Sequence, residues 1–283
     1  MKHLPLVSVI VPTRNSSFFL EACLTSIRDQ SYPSIELIVV DNHSNDHTLE
    51  IAKRFTQKSY TLGPERSAQR NYGASMSKGL YVVFIDSDMV LSTTVIEECV
   101  IAIHEDFSRT GIIIPEESFG EGFWAQCKKL ERSFYVGVEW MEAARFVKKE
   151  AFIAVGGYSA DMISGEDWDL SNKIQNLGSL GRISSYIFHN EGTISLLDTI
   201  RKKFYYAKNF SSYMDKNAKS TDTMRQTGIT SRYKLFLSDL PKLLDDPRLG
   251  LCMLFMKTLE FGVGAGGYAY GRLVIQLESR KFT

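Results

Sequence analysis

Asp86 and Asp88 stand one residue apart in "VVFIDSDMVL", at the end of an apolar run. In an extended segment residues i and i+2 point the same way, so the two carboxylates are expected to converge while Ser87 faces away. Two carboxylates aimed at one spot repel unless a cation sits between or beside them. Hard oxygen ligands suit Mg²⁺ or Mn²⁺, and Mg²⁺ characteristically takes one or two carboxylates and fills its shell with water and substrate phosphates. The pair thus points to a phosphorylated substrate. A turn-and-cap reading, in which both residues serve only the helix near Ser92, accounts for the same pair without a ligand. Further along, "GEDWDL" gathers Glu166, Asp167 and Asp169, and "YIFHNEG" places His189 at the end of a strand-like run.

The elements that must position these groups alternate in type. Val7 to Val11, Ile35 to Val40 and Leu80 to Ile85 are β-branched and nearly continuously apolar, as expected of parallel strands covered on both faces. Phe18 to Arg28, Thr48 to Phe55 and Glu65 to Ser77 carry helical patterning, with Ser44 to Asp46 offering cap chemistry before the second. This order predicts an α/β fold, a doubly wound sheet whose ligand crevice lies beyond the carboxyl ends of its strands. The polar clusters "PTRN", "DNHSND" and "DSD" all fall at those ends. From about Ser195 the composition shifts to basic and aromatic helical segments, so residues 1–193 are expected as the core and 194–283 as a helical C-terminal extension.

Composition excludes several classes. Lys plus Arg and Asp plus Glu both number 33, which removes the net basic field of a dedicated nucleic-acid binder. Cys23, Cys99, Cys127 and Cys252 are scattered, indicating neither a disulfide framework nor a zinc site. The N-terminal apolar run is too short for a secretory segment and reads as a first strand. Near the C-terminus, Lys257 and Glu260 split an apolar stretch, so no uncharged span of roughly 20 residues is expected to cross a bilayer. Contact with a membrane surface is compatible with that pattern, and a cytoplasmic location suits the free cysteines.

In order, "VSVIVPTRN", "ELIVVDNHSNDHTLEIA", "ERSAQRNYGAS", "GLYVVFIDSDMVL", "GGY", "GEDWDL" and His189 resemble the family 2 glycosyltransferases, over roughly Leu6 to Thr193. The resemblance implies a GT-A (Rossmann-like) mixed, mostly parallel sheet with helices on both faces, and inverting transfer from a nucleotide-sugar. It implies that Pro12, Thr13, Arg14, Asn15 and Asp41 cradle base and ribose. Arg70 is implied to bind base or diphosphate, Asp86 with neighbouring Ser87 the nucleoside, and Asp88 with His189 the metal. Asp167 falls at the general base, while Glu166 and Trp168 are placed to meet the acceptor. Arg66 stands where an apolar residue is usual, which leaves its role open. Mn²⁺ or Mg²⁺ is the implied cofactor, a UDP-sugar the implied donor, and a saccharide or lipid-linked molecule the implied acceptor. The segment Ser118 to Glu150 is expected to shape the sugar and acceptor pockets.

Other functions can claim parts of the same residues. A haloacid-dehalogenase phosphatase also uses D-x-D, but on its first strand and followed by Gly-Thr, where this chain has Met89-Val90. A catalytically silent nucleotide-sugar sensor would not need both Asp88 and Asp167. A membrane-surface scaffold would need only the basic-aromatic "RKKFYYAKNF" and the helical segments C-terminal to it. Gly262-x-Gly264-x-x-Gly267 formally matches a dinucleotide fingerprint, but no β-branched strand precedes it. Gly262/Gly266 and Gly267/Gly271 instead suggest a small-residue helix face for close packing or a homodimer seam.

Overall fold

A computed structural model describes residues 4–218 and 220–279. The first three and last four residues, which belong to the expected core and extension respectively, lie outside that range. Along the chain run β1 (Val7–Thr13), α1 (Leu20–Arg28), β2 (Ile35–Asp41), α2 (Thr48–Phe55), β3 (Ser59–Thr61), α3 (Arg66–Met76), β4 (Tyr81–Phe84) and β5 (Met89–Leu91). Then come α4 (Val95–Glu105), β6 (Arg109–Ile113), β7 (Glu116–Glu121), α5 (Phe123–Ser133), β8 (Ala144–Lys148), α6 (Lys149–Ala154), α7 (Glu166–Gln175), β9 (Ser179–Arg182) and β10 (Ile187–Thr193). Helices complete the chain: α8 (Leu196–Lys208), α9 (Ser211–Asn217), α10 (Thr221–Thr227), α11 (Ile229–Leu237), α12 (Leu240–Leu244) and α13 (Pro247–Ser279).

The chain forms two compact units. The first holds residues 1–117, 142–160 and 166–190, built on a seven-stranded sheet in the order β3-β2-β1-β4-β8-β6-β9. β1 pairs in parallel with both β2 and β4, so Thr13 and Asp41 share one register and end at one edge. β8 inserts antiparallel between β4 and β6, making the sheet mixed. Alternate β1 residues face opposite layers: Val7, Val9 and Val11 pack with α1, α2 and α4, while Ile10 packs with Val40, Phe84, Phe152 and Leu170. Each fully buried aliphatic side chain of this kind contributes about 1.5–3 kcal/mol. On the second layer α3 lies close to the sheet because Gly73 has no side chain; a Cβ there would meet Ile10 Cγ2 at 2.5 Å. That close approach sets Arg70, one turn earlier, at the sheet's ligand edge.

The D-x-D segment differs from the extended geometry expected of it. β4 stops at Phe84, and the Met89 amide donates to the Asp86 carbonyl at 3.0 Å, closing a turn through Ser87 and Asp88. The two carboxylates therefore diverge and find different partners. β5 then pairs antiparallel with β10, setting His189 opposite Met89.

The second unit comprises residues 118–141, 161–165 and 191–283. Its core contains Cys127, Phe134, Phe236, Leu243, Met253 and Met256. α13 runs unbroken through Lys257 and Glu260, the two charges that divide its apolar stretch. By length and composition the stretch Pro247–Leu277 could cross a membrane. Both charges turn inward: Lys257 Nζ donates to Glu131 Oε1 at 2.6 Å and Glu260 Oε2 at 2.8 Å, while Lys128 Nζ donates to Glu131 Oε2 and Glu260 Oε1. The glycine face meets α8, but through a different set than expected. Gly264, Gly267 and Gly271 face α8, where a Cβ on Gly271 would stand 2.1 Å from the Lys208 carbonyl oxygen; Gly262 and Gly266 have nothing within 4 Å.

Candidate active site

Three consecutive residues of α3 assemble the site. Successive helical positions turn by about 100°, so Gln69, Arg70 and Asn71 address three different elements. Gln69 Nε2 donates to the Thr13 and Val40 carbonyls at 3.0 and 2.6 Å, tying the ends of β1 and β2 together. Asn71 makes a reciprocal amide pair with Tyr158 of the "GGY" turn, donating to its carbonyl at 2.8 Å and accepting from its amide at 2.9 Å. Between them Arg70 is fully buried and spreads its fork: Nη2 donates to Asp86 Oδ1 at 2.6 Å and Nη1 to Asp167 Oδ1 at 2.9 Å, with Glu166 Oε1 at 3.4 Å. Its guanidinium also lies 4.9 Å from the centre of the Tyr158 ring, whose hydroxyl reaches Asp167 Oδ1 at 3.2 Å.

One buried cation thus serves three carboxylates. Arg66 adds a second, 2.8 Å from Glu166, which accounts for a basic residue where an apolar one is usual. Arg145 adds a third, ion-paired with Glu116 and 3.7 Å from Asp86 Oδ2. Sequence reasoning misses both Arg145 and the Tyr158 side chain as site residues. The signal for Arg145 is a guanidinium inside the buried strand "ARFVK", which has to have a carboxylate partner.

Charge balance separates the neighbouring carboxylates. Burial raises the pKa of Asp167, but Arg70 and then Arg145 outweigh it, holding the carboxyl below its ordinary range. For Asp86, burial is likewise overcome by Arg70 and Arg145. Glu166 goes the other way, raised by burial and then by the charge of Asp167, against Arg66 and Arg70. Asp167 is the accessible member, its side chain 29% exposed against 4% for Glu166. An ionised carboxylate open to solvent, oriented by a buried arginine and a tyrosine hydroxyl, can accept a proton from a hydroxyl placed before it. Trp168 is half-buried on the next position of α7. Asp169 is buried and held by Lys173 at 2.6 Å and Ser159 at 2.8 Å, a structural arrangement.

The strand-end loops form a connected shelf. Asp41 is buried, its Oδ1 accepting from Thr13 Oγ1 at 2.9 Å and its Oδ2 from the Ser44 amide at 2.8 Å. Asn15, at a left-handed φ of 49°, donates its amide to Ser44 Oγ and accepts from the Asn45 amide. Ser87 Oγ donates to Ser16 Oγ at 2.9 Å, joining the turn after β4 to the loop after β1. Pro12 is buried in β1, while Arg14 and Asn15 are exposed on the shelf.

Asp88 turns away from this cluster toward β10, where its Oδ2 lies 3.1 Å from His189 Nε2 and its carbonyl accepts from the Asn190 amide at 2.8 Å. Nδ1 of His189 is buried without a hydrogen-bond partner. Among the described residues no group of three or more His, Cys, Asp and Glu side chains is disposed to hold a metal. Asp88 and His189 present one carboxylate and one imidazole, a pair that would hold a divalent cation only together with water and phosphate oxygens.

The model of glycosyl transferase family 2 matches residues 8–160. The chain is 24% identical over 260 residues to the GalNAc(5)-diNAcBac-PP-undecaprenol beta-1,3-glucosyltransferase of Campylobacter jejuni, spanning 86% of this chain and 75% of that protein. It is 40% identical over 102 residues to the poly(ribitol-phosphate) beta-N-acetylglucosaminyltransferase TarP of Staphylococcus aureus, a match covering 32% of this chain and 31% of that one. Among solved structures, the mannosyltransferase PcManGT from Pyrobaculum calidifontis, in complex with GDP-Man and Mn²⁺, is similar with a TM-score of 0.63 and 16% identity, over 95% of this chain and 88% of that one. TarS 1-349 of S. aureus in complex with UDP-GlcNAc gives a TM-score of 0.53 at 16% identity, over 95% and 92%. The shared architecture is the GT-A fold. The family match covers more than half of the chain and takes in the ends of β1, β2 and β4 with Asp41, Asp86 and Asp88, so the chain belongs to glycosyl transferase family 2.

Proposed function

We propose that this glycosyltransferase moves a sugar from a nucleotide-sugar, a UDP-sugar, to a hydroxyl of a saccharide or lipid-linked acceptor, with inversion at the anomeric carbon and in a metal-dependent manner. The reaction serves polysaccharide, glycan or glycolipid synthesis, at the inner, cytoplasmic face of a membrane. The observation that carries this reading is the Arg70 fork, which joins Asp86 at the nucleoside shelf to Asp167 on the acceptor side. One solved neighbour carries UDP-GlcNAc and another GDP-Man with Mn²⁺, and one relative is named for an undecaprenol-linked acceptor.

In the mechanism, Thr13, Arg14, Asn15 and Asp41 face the base and ribose, and the turn at Asp86 and Ser87 completes the nucleoside site. Asp88 and His189 would hold the divalent cation. When bound, that cation offsets negative charge on the departing diphosphate. Asp167 takes the proton of the acceptor hydroxyl as its oxygen bonds to the anomeric carbon from the face opposite the leaving group. The bond from that carbon to the diphosphate breaks, and the nucleoside diphosphate leaves with its electron pair. Glu166, held by Arg66 and Arg70, and Trp168 flank the acceptor.

The test is a pair of variants assayed for donor binding and for transfer. Asp167→Asn is expected to keep metal-dependent thermal stabilisation by the donor and lose transfer by about 10²–10⁴-fold. Asp88→Asn is expected to lose the metal-dependent part of the stabilisation. Full transfer by either variant sinks the assignment.

A further inference from the structure

Most helices of folded proteins turn charges outward and apolar residues inward. α13 departs from this: beside the inward-packed Met253 and Met256 it also buries charges and exposes apolar residues. Its charged residues Lys257 and Glu260 are buried against Lys128 and Glu131 of α5, whereas Leu251, Phe255, Tyr270, Leu273 and Leu277 are each at least half exposed. From Leu251 to Leu277, roughly 40 Å of helix, the one charged side chain with substantial exposure is Arg272, and it is paired with Asp215 at 2.6 Å. A helix whose outward side is apolar and nearly free of charge is suited to face a medium other than water.

The flank indicates which medium. α8 crosses α13 at the Gly264, Gly267 and Gly271 seam and carries Arg201, Lys202, Lys203 and Lys208 against the single acid Asp198. Its Phe204 ring lies 6.0 Å from Tyr270, and Tyr205 beside it is 44% exposed, so aromatic rings and cations border the apolar face directly. Apolar residues that dip, rings at the boundary and cations around them match the layered chemistry of an anionic lipid surface. Lys257, Glu260 and the glycine seam occupy the opposite side of α13 with protein, which leaves a single side for another phase and suits a helix lying along a surface rather than crossing it.

We propose that the outward face of α13, bordered by the basic and aromatic edge of α8, docks this chain on the surface of an anionic lipid bilayer. The proposal rests on the membrane-peripheral part of the reading above and places that contact wholly within the second unit.

Flotation of the full chain with vesicles of phosphatidylcholine alone and of phosphatidylcholine mixed with phosphatidylglycerol tests it. Binding is expected to the mixed vesicles, weakening as salt rises. Replacing Arg201, Lys202 and Lys208 by Gln is expected to weaken the partition coefficient on the order of a hundredfold, from about fivefold per cation. Phe255→Glu with Leu273→Glu should leave the melting temperature unchanged, since both side chains are already exposed, and abolish flotation. Donor hydrolysis by that variant in vesicle-free solution should equal the parent's; absence of hydrolysis in both, with flotation intact, would refute the transferase reading and spare this one. No flotation by the parent chain overturns the proposal, as does equal flotation of the Glu variant or equal binding to the two vesicle types. A dimer that Leu273→Glu dissolves, without vesicle binding, assigns the face to a second copy instead.

Discussion

Arg70→Met removes the cation that three carboxylates share. Arg70 is fully buried, and the side chains of Asp86, Glu166 and Asp167 are 18, 4 and 29% exposed, so none can recover full hydration in its place. Breaking a buried pair from one side costs about 3–5 kcal/mol, because the remaining charge stays buried and uncompensated. At about 2–4 °C per kcal/mol for a unit of this size, the melting transition should fall by roughly 6–20 °C at neutral pH. The sign of the pH dependence follows from the carboxylates. In the parent protein Asp86 and Asp167 have lowered pKa values, so they add stability above the ordinary carboxylate range and lose it as pH falls through their folded values. Without Arg70, burial acts on them less opposed and raises those values, so the variant is penalised most at neutral pH and least near pH 4. Melting curves of both proteins from neutral pH down to about pH 4 measure this, and the gap should narrow on acidification. A second variant, Arg70→Met with Asp86→Asn, should regain part of the lost stability while remaining inactive. A gap that stays constant with pH, or no recovery on adding Asp86→Asn, would mean that Arg70 matters only through its stem and its stacking on Tyr158.

Asp167 is held below the ordinary carboxylate range in part by Arg145, so Arg145→Met should move the acid limb of the kcat/KM profile to higher pH; a limb that stays in place would remove Arg145 from the electrostatics of the base. Two glycines of α13 should respond oppositely to alanine. Gly271→Ala forces backbone apart at the α8 seam and is expected to destabilise by about 1–3 kcal/mol, whereas Gly262→Ala, with nothing nearby, should stabilise by about 0.5–1 kcal/mol. Denaturant unfolding of the two variants checks the contrast, and equal effects would mean that the seam is not close-packed.

The parallel half of the sheet was legible because its strands are buried on both faces: Val7–Thr13 and Ile35–Asp41 are runs of β-branched residues that punctuate themselves with polar ends. β3 was not, since three half-exposed residues, Ser-Tyr-Thr, carry no pattern. The convergence expected of Asp86 and Asp88 failed for a local reason, the turn closed by the Met89 amide, which no periodicity reveals. Asp167 and Arg70 could be named from ordered motifs, yet their 2.9 Å contact joins residues 97 positions apart. The same distance effect hid which way the charges of α13 point. Lys257 and Glu260 read as charges dividing an apolar stretch because their partners on α5 lie more than a hundred positions earlier, and only the fold shows that they point inward.

The shelf at the ends of β1, β2 and β4 has a thermodynamic consequence. Its loops are laced by the Asn15 to Ser44, Asn45 to Asn15, Ser17 to Asp46, Ser16 to Thr48 and Ser87 to Ser16 hydrogen bonds, all internal to the protein. Their backbone freedom is surrendered during folding, so under the proposed reading a nucleotide would meet loops that are already ordered. Under that reading, affinity for the nucleoside portion would be governed by hydration and hydrogen-bond matching at a stiff wall, and discrimination between donors would arise where the chain is less tightly laced.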